Sequence, residues 1–320
     1  MKTVAILGTR YPDFSLEETV FASLDVRIVS GPGASSDEIV ATAGDAEVIV
    51  AGSGPRFDAA TLARLRCTGI VRSGVGVETV DLDAARRAGI WVARVADYGT
   101  EAVALHAVAL ALAGVRRLVE ADRATRGGGW GIAELRPLRA PSAQTAGVVG
   151  YGRIGRAVAG HLRALGFRVL AHDPLVEIGD EVESVAELPD LLCRCDVVSL
   201  HVPGLPDGSP ALGAAELALL PEGAVLVNTA RGTLVDTPAL VEGLRAGRPR
   251  VAALDVFEGE PLDPSVFAEV AGRVIMTPHM AWYTEESERD LRVKAAEEAG
   301  RLLRGERPRD VVVDPEEVRA

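Results

Sequence analysis

The residues with the clearest chemical meaning begin at Gly150-x-Gly152-x-x-Gly155, within TAGVVGYGRIGRAV. An apolar, strand-like run ends at the first glycine, a helical pattern starts near Arg153, and an acidic residue, Asp173, closes the next apolar run. That is the dinucleotide-binding fingerprint in its proper setting. The first glycine makes a tight turn, the second lets the backbone approach a pyrophosphate, and the third lets helix and strand touch. The phosphates are expected on the amides and positive end of the helix, with Arg153 and Ile154 in its first turn. A carboxylate at Asp173 suits ribose hydroxyls and repels a 2′-phosphate, which favours NAD over NADP. Further polar residues collect where apolar runs end: His201 and Pro203, the stretch Asn228-Thr229-Ala230-Arg231-Gly232, Asp255, Glu260 and His279. Open α/β folds bind ligands outside the carboxyl ends of their strands, so these residues are expected to form a site.

The elements that must position them alternate along the chain. In the first third, residues 3–8, 26–30, 47–52, 69–74 and 90–94 read as strands, with amphipathic helices at 15–24, 36–44 and 58–66. A second series has strands at 145–149, 167–172, 196–201, 224–228, 250–255 and 273–277. Helices at 153–165, 184–193, 214–220 and 236–247 separate them, and a charged helix over 284–304 follows. Such alternation predicts parallel sheets wrapped by helices, and near-continuous apolar strands fit sheets buried on both faces. Residues 98–126 read as one helix of about seven turns, opening near Thr100 and closing at Gly127. Its first half is apolar nearly all round, which calls for cover on several sides and predicts a homodimer built on it.

Composition narrows the function classes. With 34 basic against 46 acidic residues the net charge is −12, which argues against nucleic acid or anionic membrane as the main partner. Hydrophobic residues at 48% and charged residues at 25% describe a folded globular chain rather than a disordered one. Cys67, Cys193 and Cys195 provide neither a disulfide framework nor zinc-type spacing, so no metal is expected. The N-terminal apolar run stops at Gly8 and reads as a first strand, not a secretion signal. The most apolar stretch, 102–115, is too short to span a bilayer, and a soluble, cytoplasmic protein is expected.

LVNTARGTLVD (226–236), AALDVFEGEP (252–261) and TPHMAWYTEES (277–287), after VVGYGRIG, resemble the D-isomer-specific 2-hydroxyacid dehydrogenases. RSGVGVETVD (72–81) and VADYGTEAVALHAVAL (95–110) resemble the same family, so the likeness covers essentially the whole chain. Trp282 after PHMA and the YGTE turn resemble the branch that includes the C-terminal binding proteins. The resemblance implies that Arg231 holds the substrate carboxylate and polarises its 2-oxo group, a task that suits a planar guanidinium. It implies His279 as the acid/base and Glu260 as the carboxylate that orients the imidazole and stabilises its protonated form. By the same resemblance, the backbone of Gly74, Val75 and Gly76 binds the substrate carboxylate, and Arg72 and Trp282 line the substrate pocket. Asp255 would bond the nicotinamide amide, while Thr100 and Pro203 would line the cofactor. His106 and His161, within helices, are expected to be structural.

The fold class expected is therefore α/β, with two Rossmann-like doubly wound domains and a cleft between them. A flavodoxin-like substrate domain takes residues 1–97 and 284–320, and the NAD domain takes 98–283. The implied reaction is hydride transfer between NAD and a small 2-hydroxy or 2-oxo acid, with D configuration following from the resemblance. Tyr151 inside the glycine motif and Val95-Ala96-Asp97 at the domain crossing depart from the family pattern, and neither removes a catalytic group. A rival of another class is an NAD(H)-sensing, corepressor-like interaction protein, against which the intact Arg231, Glu260 and His279 set counts. Formate oxidation is disfavoured because formate dehydrogenases pair the catalytic His with Gln, and Glu260 stands here.

Overall fold

The apolar runs form strands β1 (Lys2–Leu7), β2 (Val26–Gly31), β3 (Val48–Ala51), β4 (Gly69–Arg72), β5 (Trp91–Arg94), β6 (Thr145–Val149) and β7 (Arg168–His172). They continue as β8 (Glu183–Ser184), β9 (Val197–Leu200), β10 (Val225–Asn228), β11 (Val251–Leu254), β12 (Val274–Met276) and β13 (Val311–Val313). The computed structural model describes residues 1–9, 11, 13–205 and 207–317, so the expected 284–320 segment ends, at 318–320, outside the described residues. The chain divides into two units, Met1–Gly99 with Thr284–Ala320, and Thr100–Tyr283.

The first unit holds a sheet in the order β2-β1-β3-β4-β5-β13. Its first five strands are parallel in the flavodoxin-like order 2-1-3-4-5, and β13 adds antiparallel to β5. β3 and β4 are buried at every position, which is why their sequences show no polar alternation. The helix Glu285–Leu303 opens on a cap in which the Ser287 amide donates to Thr284 Oγ1 at 3.1 Å.

The second unit holds a parallel sheet in the order β8-β7-β6-β9-β10-β11-β12. Counted from β6, this is the Rossmann order 3-2-1-4-5-6 with one further strand. The order reverses between β6 and β9, so Gly150 and His201 emerge side by side at the switch point where such sheets bind ligands.

The long helix is not continuous. Two helices, Thr100–Val115 and Leu118–Arg126, meet at a bend of 58°. Arg117 at the break has φ 52°, in the left-handed region. Arg250 donates to the Gly114 carbonyl at 2.7 Å and pairs with Glu120 at 2.7 Å, placing a cation at the end of the first helix where its dipole favours one. Ala104, Ala107, Val108, Leu110 and Ala111 pack with Val148, Val158, Leu162, Val197 and Val225. Most of that apolar surface is thus covered within its own unit, and its all-round apolarity does not by itself require a second subunit. Among the described residues no single helix is long and apolar enough to cross a membrane.

Candidate active site

The glycine loop after β6 fits a dinucleotide for steric reasons. Gly150 has φ 92°, and a Cβ there would lie 2.6 Å from the His201 carbonyl oxygen. A Cβ on Gly155 would lie 1.9 Å from the Gly150 carbonyl oxygen, so only glycine lets the helix Arg153–Ala164 start so close to the turn. A Cβ on Gly152 would meet nothing within 4 Å, which leaves bare backbone facing open space at the helix N-terminus. Asp173 is half-buried beside this loop and accepts from the amides of Tyr151 at 2.7 Å, Leu175 at 2.9 Å and Val176 at 3.0 Å. A carboxylate has about four lone-pair positions, so a ribose hydroxyl can still be accepted.

Other expected cofactor residues lie in the same unit. The Thr229 hydroxyl is buried and has no hydrogen-bond partner, the kind of atom a ligand satisfies. His201 Nε2 lies 2.9 Å from Ser199 Oγ, and burial pushes its pKa down to about 4, so the ring is neutral. Thr100, Ile154 and Ala230 are half-buried, while Arg153 and Pro203 are exposed. Among the described residues no group of three or more His, Cys, Asp or Glu could hold a metal ion.

Two loops beyond β10 and β11 build the reactive cluster. Asn228, buried at the end of β10, donates from Nδ2 to the Arg231 carbonyl at 2.8 Å and accepts the Ala230 amide at 3.0 Å. These bonds lock the turn that carries Arg231. A Cβ on Gly232 would fall 2.0 Å from the Phe257 carbonyl carbon and 2.4 Å from the Glu258 nitrogen. The Arg231 loop and the Glu260 loop therefore touch backbone to backbone. Glu260 Oε1 accepts the Phe257 amide at 3.0 Å, and Oε2 lies 2.6 Å from His279 Nδ1. Because a carboxylate only accepts, Nδ1 carries the proton and Nε2 is left to exchange one.

Electrostatics favour the charged pair. The hydrogen bond to Glu260 raises the His279 pKa against the effect of burial, the charges of Glu260 and Asp255 help, and Arg231 opposes. Burial works against the Glu260 charge, but the bond from His279, the Phe257 amide and the charges of His279 and Arg231 outweigh it and lower its pKa. The side chains of His279 and Glu260 are 47% and 35% exposed, so this pair is open to a reactant.

Two expected site residues are bonded within their own unit. Asp255 was expected to bond the nicotinamide amide, but its side chain is 1% exposed. Its oxygens accept from Thr277 Oγ1 at 2.5 Å and from the amides of Met280 and Ala281 at 2.9 Å each. It anchors the turn of His279. Arg72 was expected to line the substrate pocket, but it is 4% exposed, and a buried guanidinium must find acceptors. It donates to the carbonyls of Ala51, Gly52 and Gly76, so it shapes the 74–76 loop from behind. In that loop Gly74 has φ 140°, Val75 is exposed and Gly76 half-buried. Trp282 is half-buried, with Tyr283 edge-on at 5.6 Å. His161 is exposed, whereas half-buried His106 bonds Thr277 Oγ1 at 3.0 Å.

Residues 108–281 match the model of the D-isomer specific 2-hydroxyacid dehydrogenase, NAD binding domain. The chain belongs to the D-isomer specific 2-hydroxyacid dehydrogenase family. It is 34% identical over 288 residues to a D-3-phosphoglycerate dehydrogenase of Methanocaldococcus jannaschii, covering 88% of this chain and 55% of that one. It thus spans about half the length of the phosphoglycerate dehydrogenases it matches. It is 38% identical over 259 residues to a glyoxylate reductase of Aeropyrum pernix, covering 76% of this chain and 75% of that one. A crystal structure of D-lactate dehydrogenase from Aquifex aeolicus, complexed with NAD and lactic acid, is similar at a TM-score of 0.84. The two share 29% identity over 94% of this chain and 96% of that one. NAD is the cofactor of this family's second unit, in keeping with the glycine loop and Asp173.

Three residues of the candidate site carry jobs that sequence reasoning did not assign: Asn228, Gly232 and Thr277. Asn228 and Gly232 flank Arg231 in the same polar run, and Thr277 stands two residues before His279, so proximity in sequence was the available signal.

Proposed function

We propose that the protein interconverts a small 2-oxo acid and the D-2-hydroxy acid with NAD. The carrying observation is the 2.6 Å His279–Glu260 pair, half open to solvent and under the field of Arg231, in the same unit as the glycine loop. When bound, NAD supplies or accepts a hydride at nicotinamide C4. In reduction, imidazolium at His279 gives the Nε2 proton to the substrate oxygen, and in oxidation the neutral ring takes it back. Glu260 holds Nδ1 and stabilises the imidazolium. Arg231 clamps the substrate carboxylate through its planar fork and draws charge toward the 2-oxo oxygen. Gly150, Gly152, Gly155, Asp173 and Thr229 hold the cofactor. In the first unit, the backbone of Gly74, Val75 and Gly76 is assigned to anion binding. A homodimer is supported by apolar side chains left in solvent: Leu105 at 60%, Leu118 at 56%, Trp130 at 95% and Ile132 at 58% exposure.

Oxidation of NADH should be followed with glyoxylate, pyruvate and a phosphorylated 2-oxo acid, with chiral analysis of the product. Turnover of at least one to the D-hydroxy acid is expected. NADH binding without turnover of any would instead favour an NAD(H)-sensing interaction protein, the reading to which Trp282 and the YGTE turn point through the C-terminal binding protein branch.

A further inference from the structure

His279 sits at φ 50°, a left-handed conformation that costs a non-glycine residue energy unless its surroundings enforce it. The His279 amide donates to the Asp255 carbonyl at 2.9 Å and to the Thr277 carbonyl at 3.0 Å. The Asp255 carboxylate takes Thr277 Oγ1 on one side of His279 and the Met280 and Ala281 amides on the other. One buried carboxylate therefore staples the turn before and after the imidazole.

The Thr277 hydroxyl decides whether that staple closes. It has one proton, and at 2.5 Å from a carboxylate oxygen the proton belongs to the bond with Asp255. Thr277 Oγ1 must then accept from His106 Nε2, which lies 3.0 Å away on the helix Thr100–Val115 and 3.6 Å from Asp255 Oδ1. The direction of every proton is fixed: His106 Nε2–H to Thr277 Oγ1, and Thr277 O–H to Asp255 Oδ1. We propose that His106 and Thr277 are positioning residues for His279, a two-step proton-ordered brace through which the first helix of the second unit sets the turn that presents the imidazole to Glu260. Neither residue touches the reacting atoms. The groups that bear on His279 are Glu260, Asp255 and Arg231, and of these Asp255 is the one His106 and Thr277 hold. The catalytic readout rests on the dehydrogenase reading above, whereas the imidazole readouts do not.

Imidazole nitrogen NMR on the full chain tests the brace directly, because only five histidines need assignment by single substitution. In the wild type, His106 should carry a proton on Nε2; an Nε2 without a proton overturns the proposal without any variant. Thr277→Val keeps the shape and removes the hydroxyl. It should lower the His279 titration midpoint, because a loosened turn weakens the bond to Glu260, and lower kcat about ten-fold or more while the Kd for NADH stays within two-fold. Thr277→Ser should restore both. A merely structural role would lower Tm and leave the His279 midpoint and kcat of the folded protein unchanged, which overturns the proposal. If the wild type reduces no 2-oxo acid, the functional reading fails while tautomer and midpoint still judge the brace.

Discussion

Arg72 and Arg231 look alike in sequence. Arg72 ends β4 and Arg231 follows the end of β10 by three residues, each with a glycine within two residues. Their surroundings make them different parts. Arg72 is 4% exposed and donates to the backbone carbonyls of Ala51, Gly52 and Gly76. Arg231 is half-buried, one of its nitrogens donates to the Ala230 carbonyl at 2.7 Å, and its charge bears on both His279 and Glu260. A buried arginine spent wholly on backbone carbonyls is a scaffold. One whose charge also bears on a titratable pair is the candidate clamp for a substrate carboxylate.

Exchange of each arginine should separate the two roles. Arg231→Met should lower kcat/KM for reduction by about 10²–10³, as for loss of one donor to a developing oxyanion, with urea unfolding near wild type. A loss of stability equal to that of the Arg72 variant would erase the distinction. Gly232→Ala attacks the position of Arg231 rather than its charge. Its Cβ would collide with backbone at Phe257 and Glu258, so the loops must part and kcat should fall about 10²-fold. Near-wild-type turnover would mean the loop contact does not set the geometry. Arg72→Met should act the other way, leaving kcat within a few-fold. It strands buried carbonyls and should cost about 2–4 kcal/mol in denaturant unfolding.

The smallest effect expected is on stability against pH. His279 is raised above 6.5, so its share of the pair's stabilisation is full below 6.5 and lost as pH rises through the folded value. Glu260 is lowered below 4.5, so its share is full above 4.5 and lost as pH falls through the folded value. The Tm advantage of wild type over Glu260→Gln should therefore peak between these limits and shrink outside them. Exposure of the pair keeps it modest.

Much of this was legible because parallel strands are buried on both faces. β3 reads as an unbroken apolar run and β4, β9 and β10 as apolar runs with a single polar residue each for that reason. β8, two exposed polar residues at a sheet edge, left no comparable pattern, and the three valines of β13 at the other edge are too short a run to read alone. The break at Arg117 was hidden because GVRRLVEADR carries ordinary helix formers, and the bend comes with tertiary partners, Arg250 and Glu120. Arg231, Glu260 and His279 stood out as polar residues after apolar runs. Their supports did not: the job of Gly232 exists only where its loop meets Phe257, and that of Asp255 only through amides it collects at 280 and 281. Burial likewise separates Arg72 from Arg231, and burial is not written at a single position.

The central claim is that His279, held by Glu260, gives the proton during reduction. Its most direct test is the pH dependence of kcat/KM for NADH-driven reduction, in wild type and in Glu260→Gln, since that profile reports the free enzyme's essential groups. Wild-type activity should fall as pH rises through a value above 6.5, and in Glu260→Gln the fall should move to lower pH because the imidazolium loses its stabilising carboxylate. An unchanged falling limb in the variant, or reduction that rises with pH in the wild type, would contradict the assignment.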